Sequence, residues 1–270
     1  MILASASSAG GAVLALGLAT AGAYAVPAVF ARRIADGPAR GALIAAWLLH
    51  ALMLALTLLA EPARFGFGPA LSVTAWLVLT VYAVESRMFP ALRARWALSG
   101  LGAVAVLLAL VFPGSPLHVS GSATLFALHL ALGIASYGLF AAALVHAWLM
   151  TRTERQMRQA ADAQSGMPLL TLERLTFRFV TAGFVLLTAT LLAGIFFSEH
   201  IYGRGWRWDH KSIFSLLSWA TFLVLLLGRA RFGWRGRSAL RWLYAGSALL
   251  LLAYVGSRFV LEVVLERVPT

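Results

Sequence analysis

The fold of this chain is decided by residues 96–151, WALSGLGAVAVLLALVFPGSPLHVSGSATLFALHLALGIASYGLFAAALVHAWLMT, which contain no Asp, Glu, Lys or Arg. A membrane-spanning helix needs roughly 20 mainly apolar residues, so this stretch is far too long for one crossing. The sequence PGSP at 113–116 supplies turn-forming residues inside it. The stretch therefore predicts two membrane helices joined by a turn.

The composition of the whole chain also indicates a membrane protein. Of its 270 residues, 61% are hydrophobic and 12% are charged, whereas about a quarter of the residues in soluble domains are charged. The net charge of +12 is spread between apolar runs, which favours loop charge over a nucleic-acid-binding patch. The chain has no cysteine, which excludes disulfides, thiolate metal sites and thiol redox chemistry.

Eight apolar stretches meet or approach the length of a spanning helix. They lie near 9–31, 41–60, 66–84, 97–113, 121–149, 178–198, 212–228 and 239–260. We therefore expect an all-α polytopic membrane bundle of about eight transmembrane helices. Residues 1–270 are predicted to form a single integral membrane domain, with one prominent loop at 199–211.

The placement of arginine predicts the orientation of this bundle. Sixteen of the 22 Lys and Arg residues follow odd-numbered stretches, and cytoplasmic loops hold the Lys and Arg excess. Both termini and the loop 199–211 are therefore predicted outside, with 152–177 and 229–241 in the cytoplasm. The first stretch could instead be a cleaved signal peptide, since 23–25 reads AYA. Its length and the lack of an amino-terminal cation favour a retained helix.

Histidines inside the apolar stretches are candidates for function, because ionisable residues are costly within a membrane. His50 lies near the middle of the second stretch, and His129 and His146 lie towards opposite ends of the fifth. A rise of ~1.5 Å per residue puts His50 and His129 at similar depths, roughly 10–15 Å below the outer boundary. They would face each other if helices 2 and 5 are neighbours. The alternative is a neutral histidine that is hydrogen-bonded within the bundle.

The densest polar cluster is the segment EHIYGRGWRWDHK at 199–211. In extended backbone, the i, i+2 spacing of Trp206 and Trp208 puts both indoles on one face. Three cations flank the indoles: Arg204, Arg207 and Lys211. A flat, apolar ligand that carries carboxylates fits this chemistry. Alternatively, the indoles belong to an interfacial aromatic belt and Asp209 caps the next helix.

Residues 202–209, YGRGWRWD, resemble the W-G-x-x-W-x-W-D signature of the cytochrome c assembly family, membrane haem-handling proteins of the CcsA, CcmC and HemX types. Residues 129–137, HLALGIASY, resemble that family's H-V-x-x-x-x-x-x-Y segment. The chain departs from the pattern at Tyr202, which replaces the first tryptophan, and it has no histidine after position 210. It is therefore most similar to the shorter HemX- or YpjD-like branch.

The resemblance implies a haem-binding or haem-handling protein of a bacterial inner membrane, in cytochrome c assembly or haem trafficking, with no catalytic residue assigned. It implies a non-covalent, b-type haem, and its partners would be haem, the lipid bilayer and another membrane protein of cytochrome c biogenesis. The predicted haem-binding residues are His129, His50, Trp206, Trp208, Asp209, Arg204, Arg207 and His210. His129 corresponds to a haem-ligating histidine of the family. His50 is predicted as the opposite ligand on depth alone, and His210 is its competitor.

Two alternatives belong to other classes of function. The first is a secondary transporter of a small amphipathic solute that uses His50 and His129 for proton coupling, although the repeats and broken helices typical of transporters are not evident. The second is a non-catalytic membrane regulator of haem biosynthesis that docks its target through 152–177.

Overall fold

The computed structural model of this protein describes residues 2–30, 36–59, 64–88, 95–116, 121–158, 169–203 and 205–260. These residues are almost entirely helical, which confirms the predicted all-α membrane bundle. The helices are α1 (Ile2–Val29), α2 (Asp36–Leu58), α3 (Phe67–Met88), α4 (Arg95–Val111), α5 (Ala123–Arg158), α6 (Leu169–Phe196), α7 (Ser198–Tyr202), α8 (His210–Phe232), α9 (Gly236–Leu251) and α10 (Ser257–Phe259), with a π-helix at Leu252–Gly256.

Among the described residues, seven helical segments are long and apolar enough to cross a membrane. The remaining predicted span, the fourth, corresponds to the apolar part of α4, Ala97–Val111, which is shorter than the others. Large apolar side chains such as Leu14, Leu48 and Leu128 are exposed on the outside of the bundle, as expected where a helix faces lipid. The sidedness of the bundle stays a prediction.

The predicted break at 113–116 is confirmed, and it contains a short β-pair that the sequence did not predict. Strand β1 (Arg64–Phe65) pairs antiparallel with strand β2 (Ser115–Pro116). Gly114 has a φ of 74°, and a Cβ there would meet the backbone carbon of Phe65 at 2.7 Å. Arg64 Nη2 donates to the Gly114 carbonyl at 2.8 Å. The turns that end α2 and α4 are therefore joined.

The helices pack closely because small residues face large rings. Phe140 of α5 and Phe222 of α8 stack with ring centroids 3.9 Å apart. A Cβ on Gly183 would lie 3.2 Å from the Phe140 ring, and one on Gly246 would lie 2.8 Å from the Phe222 ring. Ser218 donates to the Gly246 carbonyl at 2.8 Å. Small residues that let helices approach are typical of membrane bundles, and these contacts join α5, α6, α8 and α9.

Helix α8 defines the two ends of the bundle. It begins beside the loop 203–209, and we call this end, which also carries the β-pair, the tryptophan end. It finishes in the segment 229–241, which contains five arginines, and we call this the arginine end. The predicted outer side corresponds to the tryptophan end, and the predicted cytoplasmic side to the arginine end.

Candidate functional site at the tryptophan end

The structure brings His129 and Trp206 to the same place. His129 lies in the second turn of α5, and its Nδ1 atom is buried. Gly194 of α6 lies against both rings. A Cβ there would be 3.4 Å from His129 Cε1 and 3.5 Å from Trp206 Cζ3. Two residues predicted from separate motifs are therefore neighbours across a glycine that the sequence reasoning did not single out.

Lys211, at the start of α8, belongs to the same region. Its ammonium group lies 5.7 Å from the centroid of the Tyr254 ring, within the range of a cation–π interaction. Tyr254 in turn lies against Tyr137 of α5, the helix that carries His129. A cation therefore lies at the same end of the bundle as the predicted haem-ligating histidine.

Tyr254 also belongs to this region, and it lies where α9 changes from an α-helix to a π-helix. It lies in the π-helix Leu252–Gly256 that continues α9, and π segments inside helices are frequent at functional sites. Its ring contacts Phe65, with centroids 5.9 Å apart, and Tyr137, with centroids 6.5 Å apart. Tyr137 donates its hydroxyl hydrogen to the Leu250 carbonyl, next to the π-helix. Tyr254 is a site residue that sequence reasoning missed.

The two loop tryptophans do not share one flat face. Their ring centroids are 6.1 Å apart, and the ring planes are at 90° to each other. Trp206 is half-buried beside His129 and Gly194, whereas Trp208 is 73% exposed. The indole of Trp206 is thus the one available to a ligand held next to His129, and Trp208 stands at the rim.

The start of α8 fixes the end of the loop. The Asp209 side chain accepts a hydrogen bond of 2.8 Å from the Ser212 N–H, which confirms the capping alternative for this residue. Ser212 Oγ donates to the Arg207 carbonyl at 3.1 Å. The side chains of Arg207 and His210 are exposed, and Arg204 lies outside the described residues. Arg207 and His210 are therefore near the site in sequence without being held in it.

Helix α7 ties the other side of the loop to the start of α5. The Ser122 N–H donates to the His200 carbonyl at 2.6 Å. Ile201 is buried, 2% exposed. Because α5 begins at Ala123, these contacts hold the loop in a constant position relative to His129.

His50 lies in a different part of the bundle. It is fully buried, its Nδ1 is 3.3 Å from the Tyr24 hydroxyl, and its Nε2 is 2.8 Å from Ser72 Oγ. Helix α3 packs against both α2, which carries His50, and α5, which carries His129. Both nitrogens of His50 are hydrogen-bonded, so its role as a second iron ligand stays a prediction and would require one bond to break.

A buried hydrogen bond between two side chains, which the sequence did not predict, joins α3 to α5 nearer the arginine end. His146 Nε2 lies 2.7 Å from Glu85 Oε2, and the two side chains are 4% and 8% exposed. The Phe179 ring of α6 packs edge-on against His146, with centroids 5.2 Å apart. A buried pair of this kind is costly to break, so it fixes the relative position of the two helices.

The fold and this site define a polytopic membrane protein that presents one histidine beside a tryptophan loop. Residues 39–265 match the model of the family described as Cytochrome C assembly protein. The chain belongs to the cytochrome c assembly family, as the two sequence motifs had indicated.

Named relatives agree with this membership. The inner membrane protein YpjD of Escherichia coli is 33% identical over 138 residues, which are 50% of this chain and 52% of that protein. The cytochrome c biogenesis protein CcsA of Prochlorococcus marinus subsp. pastoris is 26% identical over 176 residues, 65% of this chain and 54% of the relative. The chain thus spans about half the length of these relatives. No solved structure matches it.

The location follows from the same findings. The chain matches an inner membrane protein, and its described residues include seven apolar helices of spanning length. These findings confirm the prediction of a multi-pass bacterial inner membrane protein.

Proposed function

We propose that this protein binds haem at the tryptophan end and takes part in cytochrome c assembly. The observation that carries the proposal is the meeting of His129 and Trp206 at Gly194. The family match supports the pathway, and so do relatives whose name is cytochrome c biogenesis protein CcsA.

The residues present fit a haem group. A Cβ on Gly194 would already be in van der Waals contact with both rings, so glycine at this position lets the imidazole and the indole approach the same point of α6. Histidine is a common axial ligand of haem iron. Indole supplies a flat apolar face with one N–H donor. A histidine and an indole at one glycine are therefore suitable for a flat, iron-containing ligand.

Each residue has a distinct part in this proposal. Haem, when bound, would supply an iron centre that protein side chains can ligate. His129 is the proposed ligand, Trp206 the proposed apolar contact, and Lys211 the cation that attracts the carboxylates. Asp209 acts indirectly, because its cap fixes the loop to α8. Trp208 and Arg207 are assigned to the rim of the site, and Arg204, outside the described residues, stays a predicted haem contact.

Two residues, His210 and His50, are candidates for a second ligand that would hold the haem iron. His210 is exposed beside Asp209 and has no buried hydrogen bond to give up in the described structure. His50 is held on both nitrogens, and moving it would leave buried polar groups without partners, at a cost of about 1–3 kcal/mol each. The contacts therefore favour His210 over His50.

The protein is proposed to hold and position haem, while another protein carries out the chemistry of haem attachment. The chain has no cysteine, so thiol chemistry in haem attachment must come from another protein. We propose that this partner is a membrane protein of cytochrome c biogenesis that receives haem from, or delivers it to, the tryptophan end.

Purification in detergent followed by absorption spectroscopy tests the proposal. We expect the wild-type protein to carry haem that extracts into acidified acetone, as a non-covalent b-type haem does. Trp206→Leu should lose most of it because the indole beside His129 is removed. Trp208→Leu is the matched control and should retain more haem. A wild-type protein that is folded but takes up no added haem would refute the proposal.

A further inference from the structure

The arginine end contains a tight hairpin that the proposed haem site does not use. Helix α8 ends at Phe232 and α9 begins at Gly236. Gly233 and Gly236 have φ values of 63° and 54°, in the left-handed region that favours glycine. The Trp234 N–H donates to the Gly228 carbonyl at 3.3 Å, which closes the end of α8. The chain thus reverses its direction within three residues. We call residues 229–242 the arginine hairpin.

Three aromatic rings stack in series along the arginine hairpin. Phe232 and Trp234 have centroids 6.5 Å apart at 30°, and Trp234 and Trp242 have centroids 5.6 Å apart at 16°. The Trp234 ring lies directly on Gly228, where a Cβ would be 2.5 Å from Trp234 Cδ2. Phe232 is 77% exposed and Trp242 is 37% exposed. An ordered apolar surface therefore lies open at this end of the bundle.

The same hairpin holds positive charge that the described chain does not neutralise. Four of its arginines are exposed: Arg231, Arg235, Arg237 and Arg241. Within the described ranges, none of these four makes an ion pair. Residues 210–260 also contain no Asp or Glu. The charge of the hairpin is thus available to an external anion.

Arg229 shows how an arginine of this region behaves when it has an internal partner. Its Nη1 lies 2.8 Å from Glu173 Oε1, and its guanidinium carbon lies 3.6 Å from the centroid of the Phe177 ring. Arg229 is therefore used to join α8 to α6. Among the residues that the structure describes, no ion pair of this kind is made by the four exposed arginines.

We propose that the arginine hairpin binds the phosphate headgroup of an anionic phospholipid. The hairpin joins two membrane-spanning helices, so it lies at the depth of the lipid headgroups. One guanidinium group can donate two parallel hydrogen bonds to the oxygens of a phosphate. Indoles prefer the interface between headgroup and acyl chain. Basic surfaces next to spanning helices bind anionic headgroups. Charge complementarity together with the stacked rings selects an anionic lipid as the occupant.

The test measures which lipids the full-length protein retains. The protein is placed in nanodiscs of phosphatidylcholine with phosphatidylglycerol, released into mild detergent, and analysed by native mass spectrometry. We expect bound phosphatidylglycerol in preference to phosphatidylcholine. Arg235→Gln with Arg237→Gln should weaken its retention on the order of tenfold, since each cation near an anionic surface contributes about fivefold before screening by salt.

A charge-matched variant separates a site from bulk attraction. Arg152→Gln with Arg155→Gln removes the same charge from the exposed end of α5, where Glu154 lies between the two arginines. This variant should retain phosphatidylglycerol as the wild type does. Trp242→Leu, with all arginines kept, should also weaken retention. Equal losses in the two double variants, no preference for phosphatidylglycerol, or an acidic protein bound in place of lipid would each overturn the proposal.

Discussion

Side chains of increasing size at Gly194 test the site, because the structure gives the distances from a Cβ at this position to the neighbouring rings. A Cβ there would contact His129 Cε1 at 3.4 Å and Trp206 Cζ3 at 3.5 Å, which are ordinary van der Waals distances. Gly194→Ala should therefore fit with little movement. Gly194→Leu places further carbons where the two rings now lie, so at least one ring must shift.

The size of the effect follows from the cost of overpacking. Extra carbons in a packed region cost typically 1–3 kcal/mol, and about 1.4 kcal/mol corresponds to a tenfold change in affinity. We expect Gly194→Leu to weaken haem binding by at least about fivefold, and Gly194→Ala by less than about threefold.

Titration of haem into the purified haem-free protein, followed by absorbance, gives the two affinities. Thermal unfolding in the same detergent serves as the control, because a loss of global stability would lower haem binding for another reason. A Gly194→Leu protein that is folded and binds haem with wild-type affinity would show that His129 and Trp206 do not jointly contact the ligand.

Three further predictions address other parts of the structure. Glu85→Leu should lower stability by roughly 1–3 kcal/mol because the His146 side chain is left buried without its hydrogen-bond partner, and the double variant with His146→Leu should recover much of the loss in detergent unfolding. Asp209→Ala should cost about 1 kcal/mol and increase proteolysis of the loop. His210→Ala should change the haem spectrum while stability stays constant, whereas His50→Ala should mainly lower the unfolding temperature; the reverse pattern would assign the second ligand to His50.

The membrane architecture could be predicted because its signals are local. The break at 113–116 depends on proline and glycine in a stretch with no charge, and the structure confirms the turn there. The same logic did not reveal the pairing of Arg64–Phe65 with Ser115–Pro116. That pairing depends on how two loops that are distant in sequence meet. A strand of two residues is also too short to show the alternation of apolar and polar residues that predicts a strand.

The sequence motifs proposed candidate site residues but could not predict how these residues are arranged. His129 and Trp206 were found from motifs, but their contact depends on Gly194 and the packing of α5 against α6. Tyr254 was missed because a π-helix looks like ordinary helix in an apolar sequence. His50 matched His129 in estimated depth, yet depth says nothing about lateral position, which packing against Tyr24 and Ser72 determines.

The spacing of Trp206 and Trp208 shows a different limit. Alternation places side chains on one face only in extended backbone. The loop is irregular at residues 205–209, and the two rings are perpendicular. The two indoles therefore do not form one flat face, and their part in haem binding stays a prediction.

The most direct test of the central claim is the visible spectrum of purified His129→Ala protein, recorded with and without added imidazole. His200→Ala is the matched control, since that side chain is exposed at the same end of the bundle. We predict that His129→Ala loses haem, that imidazole restores it, and that His200→Ala keeps the wild-type spectrum. A His129→Ala protein with the full wild-type haem content and spectrum would contradict the claim that His129 ligates haem at the tryptophan end.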